Sequence, residues 1–137
     1  MFIIRVDTSG TLDTSWMLKL GGNTNTIPSG ISFYGGYIYV TGSADNSGWT
    51  IAGTDMFFMR LQDTMLANAS PNYLKTLGGT QADEGKKIFA LSDGYVYALG
   101  QGYSTELTNA QSLDIFLVRY PWDASTISYF KHFGGRD

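Results

Sequence analysis

Apolar residues along this chain fall in short runs separated by glycines and small polar residues, a pattern of strands and tight turns rather than helices. The densest runs are Met1-Phe-Ile-Ile-Arg5, Met56-Phe-Phe-Met-Arg60 and Ile115-Phe-Leu-Val-Arg119. They are apolar at nearly every position, as expected of strands covered on both faces. We designate them strand A, over about residues 1–6, 56–61 and 114–120. A second run, strand B, leads into a double glycine three times: Trp16 to Gly21-Gly22, Tyr73 to Gly78-Gly79 and Tyr129 to Gly134-Gly135. Strand C is Gly30–Tyr34 and Lys87–Leu91, and strand D is Tyr37–Gly42 and Tyr95–Gly100. Between C and D stand Gly35-Gly36 and Asp93-Gly94, dipeptides that tolerate the positive φ of two-residue hairpin turns. The mixed apolar and aromatic D runs suit a strand near the rim of its sheet. No segment has a convincing helical period.

These elements recur in one order, with the three arginines 55 and 59 positions apart. Such a period marks a repeat architecture, and four antiparallel strands per unit is the layout of a β-propeller blade. The expected fold is all-β: a part of one propeller domain over 1–137, with blades at about 1–42 and 55–100 and half of a third at about 114–137. A β-sandwich or a jelly roll gives no reason for the recurrence. Propellers close with about four to eight blades, so the expectation is a fragment of a larger propeller, or a chain completed by neighbouring copies.

Composition narrows the function. A formal charge of −3 and a pI near 4.9, with no basic stripe, argue against nucleic acid. The absence of cysteine removes a disulfide framework, a cysteine-ligated zinc site and a thiol nucleophile. No apolar run approaches the roughly 18 residues of a membrane helix, and the N-terminal residues read as a strand rather than a signal peptide.

The units resemble the SBBP type of β-propeller repeat. The elements that carry the likeness are Asp55-Met-Phe-Phe-Met-Arg-Leu61, Tyr73, Gly78-Gly79, Asp83-Glu84-Gly85 and Tyr95-Val-Tyr-Ala-Leu-Gly100. The first unit matches with Phe2, Arg5, Trp16, Gly21-Gly22 and Tyr39-Val40-Thr41-Gly42, but has Asn23-Thr24-Asn25-Thr26 where the acidic loop stands. A weaker likeness is to kelch-type blades, whose Tyr-Val strand ends in a double glycine where this chain has Thr41-Gly42-Ser43. Both resemblances imply a propeller, and the first implies a surface or extracellular protein; neither implies one activity.

A residue repeated in every unit is more readily structural than catalytic. Arg5, Arg60 and Arg119, with Asp55 and Asp114, are expected to hold strand A through backbone or charge contacts, and Trp16, Tyr73 and Tyr129 to pack between blades. His132, the only histidine, aligns with Lys19 and Thr76, an exposed strand position. It has no second histidine or cysteine for a metal site and no Gly-x-Ser-x-Gly for a hydrolase triad. Neither Asp83-Glu84 nor Asp45-Asn46-Ser47-Gly48 has the spacing of an EF-hand, so both read as solvated turns. No catalytic set, metal site or cofactor is expected.

What remains is binding. The B–C connections (22–30, 79–86) and D–A connections (43–54, 101–113) should emerge on one face, where a rigid scaffold displays partner-binding loops. The expected role is a non-catalytic structural or protein-interaction module, its partners being other blades or neighbouring chains. The contact candidates are Trp49, Tyr103, Asp45 and Asn46, with glycan stacking on Trp49 and Tyr103 as the alternative. Asn68-Ala69-Ser70 is a glycosylation pattern followed by Pro71. A further alternative is an enzyme whose active site lies in blades outside this segment.

Overall fold

The computed structural model describes residues 1–19, 25–45, 53–64, 71–108, 113–123 and 126–134. It is an all-β structure of repeated antiparallel sheets. Strands β1 (Phe2–Val6) and β2 (Leu12–Lys19) form a two-stranded sheet. The middle sheet has the order β3 (Thr26–Tyr34), β4 (Tyr37–Asp45), β5 (Thr54–Gln62), β6 (Tyr73–Leu77). The last sheet repeats it as β7 (Asp83–Ala90), β8 (Tyr95–Gly102), β9 (Asp114–Pro121), β10 (Tyr129–Phe133). One helical turn, α1 (Thr105–Thr108), lies between β8 and β9 and was not expected from the sequence.

Each four-stranded sheet takes strands C and D of one unit with A and B of the next. The boundaries read from the repeat, about 1–42, 55–100 and 114–137, therefore do not coincide with the sheets. The half-sheet lies at the beginning of the described chain, not at its end. The cause is the D–A connection, which closes as a hairpin within one sheet: β4 pairs with β5 from Tyr37↔Gln62 to Asp45↔Thr54. Strand D is thus paired on both sides, correcting its expected place near the rim, and β4 is buried along most of its length.

The C–D turns explain their glycines. Tyr34 faces Tyr37 across Gly35-Gly36, whose φ values of 61° and 79° are those of a two-residue primed turn. The second turn is longer than expected: Leu91 N donates to Tyr95 O (3.1 Å), leaving Ser92-Asp93-Gly94 as a three-residue loop. There Gly94 alone has positive φ, 89°, and Asp93 Oδ1 accepts from Tyr95 N (3.0 Å).

Two apolar cores hold the sheets together. Alternate residues of β5 point to opposite faces. Met56 and Phe58 meet Ile88, Ala90, Val96, Ala98, Phe116, Val118 and Tyr120 of the last sheet, and Phe58 stacks on Tyr120 at 4.4 Å. Phe57, Met59 and Leu61 face the other way, onto Leu18, with Met1 and Ile3 at the margin. Strand β7 approaches β3 and β4 closely: a Cβ on Gly85 would sit 2.1 Å from Thr41 Oγ1. Ala90 N donates to Ser32 Oγ (3.1 Å), and Ser29 Oγ donates to Gly85 O. Among the described residues no helix is long and apolar enough to cross a membrane.

Candidate functional site

Three recurring side-chain arrangements account for most of the polar residues that repeat. The first is an arginine held between rings. Arg60 lies opposite Tyr73 in the ladder, with its guanidinium 4.5 Å from the Tyr37 ring centre and 5.2 Å from that of Tyr73. Arg119 repeats this between Tyr95 (4.5 Å) and Tyr129 (5.7 Å). Among the described residues Arg5 has one ring, Trp16 at 5.7 Å, and it pairs with Asp13 (2.5 Å). A guanidinium carries charge on a flat weakly hydrated plane, so it can stack while its edge still donates hydrogen bonds.

That edge makes the second arrangement, a bond from one sheet to the next. Arg60 Nη1 donates to the carbonyl of Trp122 (2.7 Å), in the turn after β9. Arg5 Nη1 donates to the carbonyl of Asp63 (3.4 Å), in the corresponding turn after β5, and Trp16 Nε1 donates to the same oxygen (2.7 Å). The charge-and-backbone role expected of the arginines is thus a link between neighbouring sheets. Arg119 bonds within its own sheet, to Ser128 Oγ (3.4 Å). Tyr73 meets Tyr120 edge-on across the sheets at 6.2 Å, whereas Tyr129 is exposed.

The third arrangement pairs a buried aspartate with a glycine. Asp55 and Asp114 open β5 and β9 and are buried. A Cβ on Gly78 would lie 2.0 Å from Asp55 Oδ1, and one on Gly134 would lie 1.7 Å from Asp114 Oδ1. Gly78 and Gly134, each the first of a double glycine, leave room for the carboxylate near the start of the neighbouring strand. His132 is exposed on β10 as expected, but its Nδ1 stands 3.6 Å from Asp114 Oδ2, a contact the sequence did not suggest.

Asp83 joins the B–C and D–A connections. Its Oδ2 accepts from Ser104 Oγ (2.5 Å) and Gly79 N (3.1 Å), while Ser104 Oγ accepts from Gln81 N (3.1 Å). Burial pushes the Asp83 carboxyl above its ordinary range, against the lowering effect of the Ser104 hydroxyl. Thr80 Oγ1 donates to Glu106 Oε1 (2.8 Å) on α1, and the Tyr103 N–H to Ala82 O (3.1 Å). The two connections therefore lie side by side, as expected. Tyr103 projects from this junction with 47% of its surface exposed.

Asp45 is engaged at the base of its own connection: Oδ1 accepts from Thr54 Oγ1 (2.6 Å) and Oδ2 from Asn25 Nδ2 (3.1 Å). Asn46, Trp49 and Asn68 lie outside the described residues. No group of three or more His, Cys, Asp or Glu side chains comes together among the described residues. No family model matches this chain, and no curated protein does.

The solvated turn expected at Asp83-Glu84 is corrected, since Asp83 is buried at the start of β7 and bonded to Ser104; that contact and the Asp–Gly pairs are new from the structure. A signal for the latter existed: an aspartate before strand A recurs with the double glycine that follows strand B.

Proposed function

We propose that this chain is part of a β-propeller-type scaffold with a non-catalytic role, presenting its connections at one end of the sheets to a macromolecular partner. The observation that carries this reading is the arginine link repeated from sheet to sheet, Arg5 to Asp63 and Arg60 to Trp122, which ties successive sheets in one direction. The repeated polar residues are spent on that link, on ring stacking and on the Asp–Gly pairs. The likeness to SBBP-type repeats agrees with it and favours a surface or extracellular setting.

A photoreactive residue at position 103 is expected to give crosslinks that excess unlabelled chain competes away, while one at Asp93, in the C–D turn, gives none. Turnover of a substrate by the purified chain, lost on loop substitution, would overturn the reading. Glycan stacking is favoured by one observation, the exposed ring of Tyr103 beside the Asp83–Ser104 junction. A glycan array that shows no signal, or binding unchanged by Tyr103→Ala, removes it.

A further inference from the structure

Strand A has two neighbours in each complete sheet: β5 lies between β4 and β6, and β9 between β8 and β10. Among the described residues strand β1, also a strand A, pairs with β2 alone. Three observations on its other side converge.

The first is a contrast in burial at equivalent positions. Ile31 and Phe33 of β3 correspond in register to Ile88 and Ala90 of β7, since Ile31↔Val40 and Phe33↔Ile38 match Ile88↔Ala98 and Ala90↔Val96. Ile88 and Ala90, covered by the middle sheet, are 2% and 7% exposed, whereas Ile31 and Phe33 are 65% and 62% exposed. The second is a groove of about 280 Å³ between the β1 edge and β3, lined by Phe2, Ile3, Pro28, Gly30, Ile31 and Val40. The third is the incomplete ring pair. Arg60 and Arg119 each hold a strand-D tyrosine, Tyr37 or Tyr95, and a strand-B tyrosine. Among the described residues Arg5 has the strand-B partner Trp16 and no strand-D ring.

We infer that the β1 edge and the exposed face of β3 form a docking slot for a β-hairpin of the strand C–strand D type, from another unit of this repeat. This rests on reading the sheets as propeller-type units and names the partner of one of them. The hairpin adds its D strand to the β1 edge by backbone pairing, as extended segments add to open sheet edges. The first tyrosine of its Tyr-x-Tyr run stacks on Arg5, and its apolar side chains cover Ile31 and Phe33. A flat apolar ligand would cover the two side chains and fill the groove, but would leave the open edge of β1 unpaired and Arg5 with one ring instead of two. A hairpin satisfies all three.

The chain's own Asp83–Gly102 segment, made as a free peptide, is a suitable probe. Added to the full chain, it is expected to bind saturably, change Trp16 fluorescence and slow amide exchange in β1. Tyr95→Ala in the peptide should weaken binding about 3- to 30-fold, the range of one desolvated cation–π contact. Ile31→Asp in the chain should abolish binding without altering the fold, because Ile31 is exposed. No binding at roughly millimolar peptide, a concentration that detects even about 4 kcal/mol of affinity, would overturn the inference. So would equal binding of a scrambled peptide, or a self-associated chain that Ile31→Asp dissociates, since the C–D hairpins of a second copy are already held in their own sheets and the occupant would then be another surface. Placing a second copy of 83–102 ahead of Met1 through a Gly-Ser linker removes peptide solubility from the test. A raised melting temperature and protected β1 amides are expected, and unchanged β1 exchange sinks the idea. Crosslinking at position 103 does not depend on this slot, so the two readings fail separately.

Discussion

At the scale of single residues, the recurring glycines and aspartates are two halves of one contact. Gly78→Ala and Gly134→Ala would each drive a methyl group into a buried carboxylate, at 2.0 Å and 1.7 Å. Each is expected to destabilise the fold by about 1–3 kcal/mol, the usual range for overpacking. The check is the urea midpoint of each variant, with Gly78→Ala repeated in an Asp55→Ala chain, where the carboxylate is gone; an equal shift in both backgrounds would remove the steric argument. The aspartates also predict acid behaviour of opposite sign. Asp13 is held at about 2, first by the Ser15 hydroxyl and then by Arg5. Its folded value lies below the unfolded value of about 3.9. Its contribution is therefore present above about pH 4 and is lost as pH falls toward 2. Asp83, raised chiefly by burial, contributes in the reverse sense: stability is gained as it protonates and lost as pH rises through its folded value. Asp13→Asn should flatten the fall in stability between about pH 4 and 2, measured as denaturant midpoint against pH. A variant with an unaltered acid limb would show that the Asp13 bonds do not persist in solution.

Between elements, the arginine of strand A does two jobs, and the two can be separated. Arg60 stacks between Tyr37 and Tyr73 and also reaches Trp122 O in the next sheet. Arg119 stacks between Tyr95 and Tyr129 but, among the described residues, bonds within its own sheet. Lysine keeps the charge and loses the flat multi-donor edge. Arg60→Lys is therefore expected to cost about 1–3 kcal/mol, from weakened stacking and a lost charge-assisted bond. Arg119→Lys should cost less. Thermal melts of the two variants decide this, and equal losses would mean that the link to Trp122 contributes nothing. This is also the scale at which the sequence was readable in part. Strands β1 and β9 each leave apolar side chains exposed, against the expectation for strand A. The order A-B-C-D, the both-face burial of β5 and the Gly35-Gly36 turn followed from pattern alone. The frame did not, because a period fixes the order of strands and not where one sheet stops. Both the D–A and the B–C connections are polar and of loop length, so neither announced itself as the one within a sheet. The ring pairs had a sequence signal, since Tyr37 and Tyr95 recur with Arg60 and Arg119, but register is needed to see that they meet. The Asp83–Ser104 contact had none: it joins two loops of variable sequence.

For the whole molecule, the last sheet shows what a repeat leaves uncovered when no further sheet leans on it. Met56 and Phe58 of β5 are buried against the last sheet, and their counterparts on β9, Ile115 and Leu117, lie on the face turned away from the middle sheet. Ile115, Phe89, Leu99 and Phe133 are all exposed. In repeat architectures each unit relies on its neighbours for burial. Here that face carries these large apolar side chains among Lys87, Arg119 and Lys131, and exposed apolar side chains grouped in this way promote association. The chain alone is therefore expected to associate as concentration rises, with light scattering or sedimentation reporting mass above the monomer. Replacing Ile115 and Phe133 together by lysine should reduce that association while the folded core is retained. The core holds because neither side chain belongs to the buried clusters. A chain that stays monomeric at high concentration, with a sharp cooperative melt, would mean that two sheets and a half-sheet bury enough surface to stand by themselves.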